Sequence, residues 1–163
     1  MRGRCWIALL LILIAGVDAA PACAAVTLSS DQRPLFFGLM QAGESKELAQ
    51  SGAYHNQITC TSANGRIWYL KVHLLEPLTA GGQMIPSDHL QWQVADTNGH
   101  GGLQHTHQFT PFQITPDLVY ISGANEASGA PIQLQFKYRL QIPETQLSGV
   151  YHTTIRFTLT EVL

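Results

Sequence analysis

An all-β fold with one sheet face buried against a second layer is what this sequence predicts, and three observations carry that expectation. Between residues 132 and 142 the chain alternates without a fault: Ile132, Leu134, Phe136, Tyr138, Leu140 and Ile142 fall on one side, and Gln133, Gln135, Lys137, Arg139 and Gln141 on the other. A strand collects such a set on one face, whereas a helix would scatter it around its circumference. The pattern returns near the end, where Tyr151, Ile155, Phe157, Leu159 and Leu163 share a parity that Thr153 and Glu161 interrupt. Beyond the first two dozen residues helical periodicity is convincing nowhere, while Gly, Pro and Asn recur between short apolar runs.

The N-terminus differs in kind. Arg2 and Arg4 precede an apolar run from Trp6 to Val17 and a small-residue stretch ending near Ala25. This is the layout of a secretory signal peptide, and the run is shorter than the roughly 20 residues that span a bilayer. The expectation is a leader at residues 1–24, cut after Ala22 or Ala24, then a single β-sandwich domain over 25–163 with no membrane span. Only the first cut retains Cys23, whose small preceding residue also allows a lipoprotein reading, although Ala20 stands where such signals usually carry Leu.

Without Arg2, Arg4 and Asp18 the exported chain keeps 7 basic and 10 acidic residues. No polybasic run is present, so neither nucleic acid nor an anionic lipid surface is an expected partner. Cys60 shares the parity of Ile58 and is expected to point inward. Either it pairs with a retained Cys23, contributing about 4 kcal/mol in the chain-entropy picture, or it is a lone buried thiol acting as a small hydrophobe.

Element by element, residues 26–29 read as a short first strand. Leu35-Phe36-Phe37-Gly38 is a compact apolar run, and 46–49 a short edge piece. Residues 57–62 and 66–75 flank Ala63-Asn64-Gly65 and read as a hairpin, because Asn-Gly supplies the positive backbone angles of tight turns. Glu76-Pro77 ends its second arm. Residues 79–83 read as a loop, Leu90, Trp92 and Val94 mark a strand, and 96–102, with three glycines, is expected to be the most flexible stretch. Strands at 108–114 and 118–122, a polar loop at 123–131, the alternating strand and a turn at 143–149 lead to a last strand at 150–161. About eight or nine strands punctuated in this way read as an Ig-like antiparallel β-sandwich.

Chemistry is sparse. His100, His105 and His107, with His89 upstream, are the candidate metal ligands. The two-residue spacing of His105 and His107 puts both imidazoles on one side of an extended segment, and Gly101-Gly102 lets His100 fold back, a pattern suited to copper or zinc. The competing reading is a solvated His-rich loop. Trp68 and Trp92 are in phase with core residues and are expected to be buried, which leaves Tyr69 as the better exposed aromatic. No nucleophile elbow, acidic pair or phosphate-cradling glycine loop is present, so no catalytic residue is assigned and an enzyme is not expected.

Cys23, Leu35-Phe36-Phe37-Gly38, Ile58-Thr59-Cys60-Thr61, Asn64-Gly65 and the ending from Ile142-Pro143 through Gln146-Leu147-Ser148-Gly149-Val150-Tyr151-His152-Thr153-Thr154-Ile155 resemble bacterial spore coat protein U domain proteins, a family that includes subunits of archaic chaperone-usher pili. The Gly-Val-Tyr ending is also similar to that of WxL-type surface domains. The resemblance implies a non-enzymatic sandwich secreted to the periplasm or cell surface, with a structural or adhesive role as a pilus (fimbrium) component. Its partners would be other envelope or pilus proteins, met by β-strand addition. A pilin of this kind lacks one strand, which its neighbour's N-terminal extension supplies. Here, with cleavage near Ala22, almost nothing precedes Cys23, so a self-complete domain or a subunit that accepts a strand without donating one fits better. The last strand, with Gly149, Tyr151, Ile155, Phe157 and Leu159, is the expected place of partner pairing, its bland alternative being an ordinary core strand.

Overall fold

The computed structural model describes residues 6–15 (as backbone), 26–31, 33–49, 54–105 and 108–163. In chain order the strands are β1 (Trp6–Ala15), β2 (Val26–Ser30), β3 (Leu35–Gln41), β4 (Ser45–Leu48), β5 (Asn56–Ser62), β6 (Tyr69–Leu74), β7 (Leu78–Ala80), β8 (Gln83–Ile85), β9 (Leu90–Thr97), β10 (Gly102–Leu103), β11 (Thr110–Pro111), β12 (Asp117–Ile121), β13 (Ile132–Gln141), β14 (Val150–Tyr151) and β15 (Thr154–Thr160). Two short 3-10 turns, at Ser87–His89 and Ala124–Ala127, are the helical elements among the described residues.

The strands form an all-β sandwich. One sheet is built on β13, whose alternating sequence gives alternating burial along its length. Along one edge it pairs antiparallel with β9, and its other edge is shared between β5, opposite Ile132 to Phe136, and β4, opposite Tyr138 to Gln141. β2 extends this sheet beyond β5, and β11 extends it beyond β9. The second sheet runs β10, β12, β6, β15 and β1, and β3 closes it on the far side of β1. Inward side chains of the two sheets meet in one core. Phe157 of β15 packs edge-on against Phe136 of β13 with ring centroids 5.0 Å apart, and Trp92 lies 6.1 Å from Phe136. Burying each large aromatic is worth about 1.5–3 kcal/mol, so these rings dominate the cohesion of the layers. Trp68 and Trp92 are both buried, as their phase predicts.

Several local expectations are corrected. Asn64-Gly65 does not close a hairpin, because β5 and β6 lie in opposite sheets. The Asn64 side-chain oxygen instead accepts the Ser62 hydroxyl at 2.9 Å and the Arg66 amide at 3.0 Å, and the Gly65 amide donates to the Ala127 carbonyl at 3.2 Å. An Asx-type turn of this sort steers the chain round the sandwich corner and makes no ladder. Residues 79–83 are a hairpin rather than a loop: Ala80 pairs with Gln83, and Gly81 and Gly82 take φ of +53° and +86°, the positive pair a two-residue turn requires. The strand expected at 108–114 shrinks to Thr110–Pro111, since Pro111 has no amide to donate.

The expected flexible stretch is also different in kind. Asp96 and Thr97 belong to β9, and of the three glycines after them Gly99 and Gly101 are packed tightly, whereas Gly102 has room for a Cβ. A Cβ on Gly99 would stand 2.1 Å from the Tyr120 hydroxyl, and one on Gly101 would stand 2.2 Å from the Ile121 carbonyl oxygen. Gly99 and Gly101 admit a close approach of backbone to the Tyr120 hydroxyl and the β12 end, so their role is spatial.

Candidate functional site

The feature of the fold that bears most on function is the place of β1. Six of its residues are in register with β3, antiparallel, while on the other side it runs parallel to β14 and β15, in register with Val150 and Tyr151 and with Thr154 to Phe157. β14 and β15 are successive parts of one strand interrupted at His152 and Thr153. Among the described residues β3 has no ladder partner except β1. β1 thus occupies a slot one strand wide, between β3 (Leu35–Gln41) and the β14–β15 strand.

The slot has a floor and a rim. Positions 7, 9, 11, 13 and 15 of β1 are in register with Met40, Tyr151, Leu35, Ile155 and Phe157, all of which are buried. Position 8 lies between Leu39 and Val150, and position 10 opposite Phe36, which are about 60 % exposed on the outer face. The parity stays consistent because β3 carries a bulge: position 9 pairs with Gly38 and position 10 with Phe36, so Phe37 is passed over. Gly38 has φ +73°, which is why Gly sits at this bulge.

The residues expected to pair with a partner are found here. Tyr151, Ile155 and Phe157 are buried and line the floor, and Leu159 is partly buried against the core. β15 also pairs antiparallel with β6 over Ile155 to Thr160, so it is a core strand and one wall of the slot at once. The Tyr151 hydroxyl donates to the Leu147 carbonyl at 2.8 Å and accepts from Gln146 Nε2 at 2.6 Å, which pins the preceding turn. Gly149 lies in that turn, where a Cβ would come within 2.9 Å of the Ala80 Cβ.

The described histidines of the candidate set, His89, His100 and His105, lie in separate contacts. His105 Nε2 is 3.2 Å from Asp117 Oδ2, and its ring stands edge-on to Trp92 at 5.4 Å. The His100 amide donates to Glu126 at 2.5 Å. His89 Nδ1 lies 2.9 Å from the Gln141 carbonyl oxygen, and His107 lies outside the described residues. Among the described residues no group of three His, Cys, Asp or Glu side chains is placed to hold a metal ion. Cys60 is fully buried as a free thiol, which burial pushes to a pKa well above the ordinary range. Cys23 lies outside the described residues.

Two residues that pattern reading passed over organise the neighbourhood. Glu126 is buried and gathers the loop after β9. Its carboxylate accepts the Tyr120 hydroxyl and the amides of His100, Gly101 and Gly123. Burial acts to raise its pKa, but these hydrogen bonds outweigh burial and leave the carboxyl below its usual value. The spacing Gly123-x-x-Glu126 at a helical turn was the available signal. Arg156 is the single charged residue of β15, exposed at an outward position beside the slot. No protein-family model matches the chain, and no curated protein matches it. No helix among the described residues is long and apolar enough to cross a membrane.

Proposed function

We propose that this protein is a non-enzymatic β-sandwich of the cell envelope or its exterior, with a structural or adhesive role, which works by accepting a strand from a partner into the slot between β3 and β15. The slot itself carries the reading. If β1 is removed with an exported leader cut near residues 22–24, β3 loses its ladder partner, and the buried backbone flanking Tyr151, Ile155 and Phe157 loses one set of hydrogen bonds. Unpaired strand edges over a buried floor recruit another strand, by main-chain bonding for affinity and alternate side chains for fit. The resemblance of the Phe-Gly run and the Gly-Val-Tyr ending to spore coat protein U domains and archaic pilins points the same way.

The test is amide hydrogen exchange on the exported, processed protein, alone and with a peptide of sequence 6–15. Slow exchange at β3 and β15 only when peptide is present, with a higher Tm, supports strand acceptance. A processed protein that is monomeric and equally protected at β3 without peptide would end this proposal.

A further inference from the structure

We propose that Arg156 reads the outward face of the strand in the slot and selects a carboxylate at the position that Ile14 holds in β1. This rests on the strand-accepting reading and adds to it the chemistry of the preferred occupant.

Arg156 is exposed, in register with Ile14 of β1 on one side and with His73 of β6 on the other. Among the described residues it forms no ion pair, whereas Asp117 is matched by His105 and Glu161 by Arg66. Neither β6 nor β15 carries a carboxylate, and Lys71 lies on the same outward face, opposite Thr158. Burial, and then the charge of Arg156, hold His73 below its ordinary pKa, and its Nδ1 is buried without a partner. His73 is therefore neutral near pH 7, and the positive charge of this face comes from Arg156 and Lys71.

The other end of the rim is apolar. Leu39 and Val150 face outward on either side of position 8, and Phe36 does so opposite position 10. An occupant running parallel to β15 is thus met by apolar side chains at its start and by a cation six residues later. β1 puts Ile14 in register with Arg156, and isoleucine brings no charge to answer it. The better occupant is an extended segment with alternate apolar residues inward, an apolar residue outward between Leu39 and Val150, and Asp or Glu six positions on. Opposite charges across neighbouring strands favour pairing about two- to fivefold, with like charges disfavoured to a similar degree.

The full chain tests this, since β1 fills the slot in cis. Ile14→Glu and Ile14→Lys are compared in the native background and with Arg156→Glu, by urea unfolding. The expected result is a folding equilibrium constant about two- to fivefold larger for Glu than for Lys, an inverted order with Arg156→Glu, and convergence in 1 M salt. The same order in both backgrounds overturns the selection by Arg156. Leu13→Asp, in register with the buried Ile155, separates the two levels. If it leaves stability unchanged, the strand is not in the slot and the parent reading falls. If it destabilises while Glu and Lys at position 14 stay equal, the role of Arg156 alone falls.

Discussion

The Tyr120 hydroxyl sits against both carboxylate oxygens of Glu126, 2.7 Å from Oε1 and 2.9 Å from Oε2, while accepting the Gly101 amide at 2.7 Å. The pair joins β12 to the loop that follows β9, so two chain segments depend on one ionised group. Glu126→Gln keeps the shape but removes the charge and turns an acceptor into a donor facing N–H groups. The expected loss is about 1.5–3 kcal/mol, as for hydrogen bonds to a buried charge. Denaturant unfolding measures it.

The same carboxylate sets a pH dependence. Its pKa is depressed in the folded protein, so its contribution is fully present above the ordinary carboxylate value and declines as pH falls through the folded one. Wild-type stability is expected to drop on acidification below about pH 4.3, and Glu126→Gln is expected to flatten that part of the profile. Melting temperatures from pH 2 to 7 compare the two.

Glycine substitutions on either side of this clamp should differ sharply. Gly99→Ala and Gly101→Ala drive a methyl into the Tyr120 hydroxyl or the Ile121 carbonyl, with an expected cost of about 1–3 kcal/mol. At Gly102 the nearest heavy atom to an added Cβ is Gln104 Nε2 at 3.6 Å, and alanine there is expected to be close to neutral. Chemical denaturation of the three variants gives the comparison.

In the core, the Tyr138 hydroxyl donates to Asn56 Oδ1 at 2.8 Å, and Asn56 Nδ2 is already buried without a partner. Tyr138→Phe removes the one bond that Asn56 makes through its side-chain oxygen, leaving the amide wholly unsatisfied. The expected cost is about 1–3 kcal/mol. A double-mutant cycle with Asn56→Leu should recover part of it, because two apolar groups need no partner.

Cys60 is expected to resist thiol reagents while the protein is folded. Burial disfavours the thiolate, which is the reactive form, so modification must wait for opening of β5. Labelling should be slow in buffer and rapid in denaturant. Fast stoichiometric labelling of the native protein at pH 8 would contradict the burial described.

The alternating run at residues 132–142 was legible because strand periodicity and burial are the same geometric fact, and Trp68 and Trp92 were legible for the same reason. Asn64-Gly65 was not, since the dipeptide specifies a local turn and says nothing about whether the flanking strands share a sheet. The loop glycines misled because Gly serves both freedom and close approach, and only the position of Tyr120 tells these apart. The slot was hidden more deeply. Residues 6–15 are apolar at every position, so they carry no alternation and read as a leader, and only their register against Leu35, Tyr151 and Ile155 brings out a floor and a rim. The spacing of His105 to His107 says nothing of Asp117 and Trp92, the neighbours that the structure gives His105, and His107 lies outside the described residues.

β13 draws its hydrogen-bonded neighbours from β4, β5 and β9, three segments whose paired residues lie 37 to 96 positions upstream. Those segments have no common scaffold until residue 141 has been synthesised. Such long-range pairing makes for slow acquisition of structure. The central sheet can therefore be gathered around β13 only after β4, β5 and β9 have all left the ribosome.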